Sequence, residues 1–262
     1  MENYQKGTHS PMNQINYDKF GSITIRYKNH PNLQSGITES TVNKVICAIK
    51  NNIIFNLKVP EKYQNSTFDN FEKTGIEKEF KKVKDIALNG FKNDNGENIS
   101  AIIWSKDIYG VGKTHLLYAM VKEYLLSDSM IEVIQKGYEP VVSYNAKSIC
   151  VLVEYQLLEK FRETFKPNFL KTEGDIFKEL DSYDVLCIDD VSKYKPSNMD
   201  FYQRIYFQLV NERYNHNKSL IITTNKSLKE LAEYIGIATA DRLCEMTQDY
   251  RIEFRGKSYR AK

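Results

Sequence analysis

An apolar, β-prone run, Ala101-Ile102-Ile103-Trp104, stands directly before the loop Ser105-Lys106-Asp107-Ile108-Tyr109-Gly110-Val111-Gly112-Lys113-Thr114. That loop opens into an amphipathic stretch carrying Leu116, Leu117, Met120, Val121 and Tyr124. Strand, glycine loop, Lys-Thr and helix in this order make a phosphate cradle. The glycines let backbone N–H groups close around phosphate oxygens, and the helix N-terminus adds partial positive charge. The segment is therefore expected to bind a nucleoside triphosphate through Gly110, Val111, Gly112, Lys113, Thr114 and His115. Lys113 would neutralise the terminal phosphates, and the Thr114 hydroxyl would ligate Mg²⁺.

The usual pattern has glycine where this chain has Asp107. A carboxylate about 6 Å from a phosphate, at an effective dielectric near 20, would repel it by roughly 3 kcal/mol. At the turn from strand to loop the side chain can instead point to solvent, where screening removes most of that penalty.

A second half of the site follows. Val185-Leu186-Cys187-Ile188-Asp189-Asp190 reads as a buried strand ending in two carboxylates. In parallel α/β sheets ligands sit at the carboxyl ends of strands, so both acids should emerge beside the phosphate loop. Asp189 suits Mg²⁺, and Asp190 suits orienting or deprotonating a water. Leu220-Ile221-Ile222-Thr223-Thr224-Asn225 repeats the logic with an amide at its tip. Asn225 could hold the same water, or either Asn225 or Ser227 could cap the helix from Leu228 to Ile235. Arg242, in Ala240-Asp241-Arg242-Leu243, could reach a phosphate held by an adjacent subunit, or make a surface salt bridge.

Composition bounds the rest. With 262 residues, 41% apolar and 27% charged, the chain can hold one α/β core and a small extra domain. No apolar run is long enough for a membrane span, and the polar start reads as no secretory signal, so a cytoplasmic location is expected. The cysteines Cys47, Cys150, Cys187 and Cys244 form no Cys-x-x-Cys pair, which argues against a zinc ribbon or disulfide framework. Residues 1–58 read as a partner-binding segment or small domain, with a strand at Ser22–Tyr27 and a helix from Thr41 to Asn52. Residues 59–71 read as a linker into a helix from Ile76 to Phe91. Further strands are expected at Pro140–Tyr144, Asp184–Asp189, Ser219–Thr224 and Tyr250–Phe254. Between the second and third of the core strands, Val151, Val153, Leu157, Leu158, Phe161 and Phe165 read as one amphipathic helix, and Ile176, Phe177 and Leu180 as another.

With these pieces in order, the chain resembles the AAA+ ATPases of the bacterial and phage replicative-helicase loader family (DnaC/DnaI-type), and the related IstB-type transposition ATPases. The resemblance covers about residues 59–262. It rests on Val59-Pro60-Glu61-Lys62-Tyr63, Thr67-Phe68-Asp69-Asn70-Phe71, Gly110 to Leu117, Leu157 to Arg162 and Asp184 to Val191. Asn211-Glu212-Arg213-Tyr214, Ile221 to Asn225, Ala240 to Met246 and Phe254 to Arg260 complete it.

The resemblance implies a P-loop AAA+ domain over 59–262, a parallel five-stranded sheet between helices. ATP and Mg²⁺ would be its cofactors, Lys113 and Thr114 its phosphate and metal contacts, and Asp189 and Asp190 its Walker B pair. Asn225 would be the sensor and Arg242 an arginine finger between ATP-bound subunits of a homo-oligomer. The implied partners are a replicative DNA helicase and single-stranded DNA. Lys147, Lys160, Arg162 and Lys166 are candidate phosphate contacts, as is the tail 251–262, with five basic residues against one acid and Tyr259 for stacking. The function expected is ATP-dependent helicase loading. An IstB-like role and a nucleotide-gated adaptor with little hydrolysis are the alternatives, and Asn225 with the Arg242 segment disfavours a small-molecule kinase.

Overall fold

The computed structural model describes residues 15–17, 23–26, 47, 50–53, 55–127, 131–136, 139–193, 198–255 and 258–259. Its strands and helices run β1 (Ile15–Tyr17), β2 (Ile23–Arg26), α1 (Glu77–Leu88), β3 (Ala101–Trp104), α2 (Lys113–Leu125), β4 (Ile131–Lys136), β5 (Glu139–Tyr144) and β6 (Ile149–Val153). They continue with α3 (Glu154–Glu163), α4 (Glu173–Ser182), β7 (Val185–Val191), α5 (Met199–Asn215), β8 (Ser219–Thr224), α6 (Leu228–Ile235), α7 (Ile237–Met246) and β9 (Arg251–Glu253). Among the described residues no helix is long and apolar enough to cross a membrane.

The chain divides into two compact units, residues 1–52 with 127–146, and residues 53–126 with 147–262. A boundary near 58 was expected from sequence. The excursion at 127–146 belongs instead with the N-terminal residues, because pairing between distant strands groups them. The first unit holds an antiparallel sheet in the order β1-β2-β5-β4. Its register runs Ile23↔Tyr144 to Arg26↔Val141 between β2 and β5. Most of the helix expected from Thr41 to Asn52, including Val42, Val45, Ile46 and Ile49, lies outside the described residues.

The second unit holds the expected parallel sheet, in the order β6-β7-β8-β3-β9. One strand is a correction. Pro140–Tyr144, expected here, lies in the antiparallel sheet, and β6 takes its place with register Ile149↔Val185 to Val153↔Asp189. Val151 and Val153 are thus strand residues rather than helix residues, and α3 begins only at Glu154. A short apolar run carries no mark of which sheet it joins; only its pairing decides.

Strand alternation sorts the core. Ile102, Leu186, Ile188, Leu220 and Ile222 pack with Leu157, Phe161, Phe177, Tyr206, Leu231 and Leu243 from α3 to α7. Ile103, Cys187 and Ile221, fully buried, face the other way, on the side of α2. Each such side chain stabilises the fold by about 1.5–3 kcal/mol.

At the opposite end of the sheet from the glycine loop, Arg213 on α5 is 1% exposed. It donates to the carbonyls of Tyr183 (2.6 Å), Asp184 (2.7 Å) and Ser219 (2.6 Å), where β7 and β8 begin. Burial lowers its pKa to about 10, which still leaves a cation at neutral pH.

Candidate nucleotide site

Lys113 and Thr114 open α2, with Gly112 at its N-cap in the left-handed region at φ 92°. Glycine is required there twice over. A Cβ would also lie 2.4 Å from Phe71 Cε2, far inside contact distance. Asp107 too is left-handed, at φ 52°. Its side chain is exposed, outside the cleft, and its N–H donates to Asn225 O at 3.0 Å. A turn that needs positive φ accounts for glycine in the usual pattern, and Asp is among the residues that tolerate it.

The two halves read from sequence meet. Lys113, 5% exposed, donates through Nζ to Ser105 Oγ (2.6 Å) and Asn225 Oδ1 (2.5 Å). Thr114 Oγ1 donates to Asp189, 3.1 and 2.9 Å from its two oxygens, and Thr223 Oγ1 donates to Oδ1 at 2.5 Å. Asn225 Nδ2 reaches Asp190 Oδ1 at 3.4 Å, and Lys193 Nζ pairs with Asp190 Oδ2 at 2.9 Å. Asp189 is 3% exposed, and burial holds its carboxyl above the ordinary carboxylate range. The hydroxyls of Thr223 and Thr114 and the charge of Lys113 oppose that shift.

In a regular strand Asp189 and Asp190 would point to opposite faces. β7 shifts register against β8 between Ile188 and Val191, and Asp190 is left-handed at φ 57°. The bulge re-aims the second carboxylate into the cleft while the first stays under Thr114. Asp190 N–H donating to Thr223 Oγ1 at 3.0 Å fixes the turn. The helix cap falls to Ser227, whose hydroxyl accepts from Glu230 N–H while the Glu230 carboxylate accepts from Ser227 N–H. Asn225 is thereby left to the site.

Residues 59–71 are more than a linker. Val59, Phe68 and Phe71 are buried, and Phe68 and Phe71 pack on Phe80 of α1. Thr67 N–H donates to Asn70 Oδ1, and Asn70 N–H to Thr67 Oγ1, closing the turn between the two phenylalanines. One face of α2, at spacing i, i+3 and i+7, fastens this strap. His115 Nε2 meets Thr67 O at 2.8 Å, Tyr118 stacks on Tyr63, and Lys122 donates to Tyr63 O and Gln64 O. His115 also lies against Phe71. The result is a cleft of about 410 Å³, whose lining includes Tyr63, Phe71, Gly110 to His115, Asp190, Lys193, Asn225 and Tyr259.

Not every expected residue is gathered. Arg242 does not line the cleft; its guanidinium lies 5.1 Å from the Phe207 ring centre. Lys160 pairs with Glu179, Arg162 with Glu159 and Lys166 with Glu163, while Lys147 donates to Asn98. Tyr259, expected on an open tail, lines the cleft. Ser105, Thr223 and Lys193 were missed. A polar residue ending an apolar run, as Thr223 does, was the available signal for one of them.

Fold and site together define an ATPase-type nucleotide-binding protein with a P-loop. Residues 62–236 match the bacterial DnaA ATPase domain, and the chain belongs to that family. It is 25% identical over 205 residues to the replicative helicase loader DnaC of Buchnera aphidicola subsp. Baizongia pistaciae, covering 78% of this chain and 73% of the relative. It is 26% identical over 203 residues to the same loader of subsp. Acyrthosiphon pisum, covering 77% and 72%. Among solved structures, a DnaC helicase loader superposes with a TM-score of 0.57 at 19% identity, covering 75% of this chain and all of that one. A DnaA structure bound to AMPPCP and single-stranded DNA gives 0.52 at 18%, covering 76% and 52%. The parallel sheet and its helices are those of AAA+ ATPases.

Proposed function

We propose that this chain is a cytoplasmic ATP-dependent loader that places a replicative helicase on single-stranded DNA. The observation that carries the reading is one continuous network. Lys113, Thr114, Asp189, Asp190 and Asn225 come from the glycine loop and two adjacent strand ends and meet at one edge of the sheet. The similarity to DnaC loaders supports the partner.

In this reading the N–H groups of the Gly110–Thr114 loop and the Lys113 ammonium hold the β- and γ-phosphates. A buried carboxylate kept by two hydroxyl donors fits a hard divalent cation, so Asp189 and Thr114 would hold Mg²⁺. Once bound, Mg²⁺ would neutralise charge between the phosphate oxygens. Asp190 orients and deprotonates the attacking water, and Asn225, hydrogen-bonded to both Lys113 and Asp190, positions it against the γ-phosphate. Arg242 of a neighbouring subunit completes the site in an ATP-bound oligomer. Residues 1–58 take the partner-binding role.

The Lys193–Asp190 pair favours one alternative, because an oxygen of that carboxylate is already engaged by an ammonium 2.9 Å away and must release it to meet a water. That alternative is a nucleotide-gated adaptor with little hydrolysis. Two measurements decide. Co-purification with a replicative helicase, with and without ATP, should yield a complex, and its absence in both conditions removes the loader role. Turnover with DNA and helicase present should fall in Asp190→Asn; no turnover in either protein favours the adaptor.

A further inference from the structure

Tyr259 reaches the nucleotide cleft. Tyr259 N–H donates to Gly110 O at 2.9 Å, a carbonyl of the phosphate loop itself. Its hydroxyl donates to the carbonyl of Glu72, and its ring meets Phe71 edge-on with centres 5.8 Å apart. Phe71 in turn lies directly over Gly112. Residue 259 thus joins the phosphate loop, through its main chain, to the strap and Glu72, through its side chain, the latter across 187 positions of sequence.

The cleft lining has two chemical characters. Lys113, Asp190 and Asn225, joined by hydrogen bonds, make part of it ionic. Tyr63, Phe71 and Tyr259 make another part aromatic, with Tyr63 already backed by Tyr118. A nucleoside triphosphate has the same polarity, a charged tail and a flat base with an exposed π-face. Aromatic side chains accept any base by stacking.

We infer that Tyr259 is a nucleobase-binding residue. The inference rests on the nucleotide-binding reading above and adds to it the residue that holds the base end. Phe71 is turned over Gly112 by the strap, which leaves Tyr63 and Tyr259 as the cleft-lining aromatic rings for a base. The hydrogen bond to Gly110 makes the same residue a brace for the loop, and a probe without a base separates the two roles.

The experiment uses the full-length chain and two ligands, ATP and inorganic tripolyphosphate, each titrated with Mg²⁺ by calorimetry. Tyr259→Ala is expected to weaken ATP roughly tenfold or more, the range of base–aromatic stacking, while tripolyphosphate stays within about twofold. Both variants keep the backbone N–H that bonds Gly110; Tyr259→Phe also keeps the ring and should retain most of the ATP affinity. Unchanged ATP affinity in Tyr259→Ala overturns the inference. So does an equal loss for both ligands, which would make Tyr259 a support of the loop alone. Wild type that binds neither ligand overturns the nucleotide reading itself, an outcome distinct from both.

Discussion

At the residue scale, Asp189 shows a conflict between stability and chemistry. Burial, the largest influence, raises its carboxyl above 3.8. A carboxyl raised on folding binds its proton more tightly in the folded chain than in the unfolded one. Its contribution to stability is therefore fully present below the unfolded pKa and is lost as pH rises through the folded pKa. Above the folded pKa the buried, ionised side chain costs the fold stability, and a bound cation would offset that cost. Asp189→Asn should raise the thermal midpoint at pH 7 without nucleotide, and this advantage should shrink as the pH is lowered. Its Mg²⁺-dependent ATP affinity should fall by roughly tenfold or more, the loss of one charged interaction of about 1.5–3 kcal/mol. Differential scanning across pH and calorimetry check the two halves. Asp107 makes the opposite case, a suspicious residue with no electrostatic consequence. Its side chain is exposed and only its backbone is constrained, so Asp107→Gly should change ATP affinity by less than about twofold. A large gain in binding would show that the carboxylate does face the phosphates.

At the scale of elements, the sheet is pinned at both ends by side chains from helices. At the carboxyl ends the pins are Thr114 and Lys113; at the amino ends the pin is Arg213. Arg213→Leu removes the guanidinium donor from the part-buried bonds to the Tyr183 and Asp184 carbonyls and from the buried bond to that of Ser219. The expected loss is about 3–5 kcal/mol in urea unfolding. A loss below about 1 kcal/mol would mean that water replaces the guanidinium at this edge. The same physics gives Arg213, far from the cleft, a structural role: it ties the start of β7, the strand that carries the acids, to the start of β8.

At the scale of the whole molecule, the proposed site draws on one chain for its phosphate and metal contacts and on a second only for the proposed arginine finger. Arg242 rests on Phe207, outside the cleft lining. If it serves a neighbour, Arg242→Ala should still bind ATP yet lose roughly 10³–10⁵ in turnover. Mixing it with Asp190→Asn then restores activity, because an intact site from the first variant meets an intact finger from the second. Two dead variants that stay dead on mixing, at concentrations where the wild type is active, would remove the role in trans.

The local parts were legible because they are written in contiguous residues. The glycine loop, the strand ending in Asp189-Asp190, the strand ending in Asn225 and the Ser227 cap each follow from period, turn chemistry and backbone geometry. Which apolar run entered the parallel sheet was not legible, because Pro140–Tyr144 and Ile149–Val153 offer the same short β-prone pattern. Pairing with β2 and β4 claimed the first, and pairing with β7 claimed the second. Sequence alone determined that this chain carries a phosphate loop and a pair of acids. Tertiary structure decided that a bulge turns Asp190 toward Asn225, that residues 59–71 form a wall rather than a tether, and that Tyr259 stands in the cleft. The reason is physical: spacing along the chain fixes only what neighbours can do, whereas contacts between segments 35 to 187 residues apart depend on which surfaces bury one another.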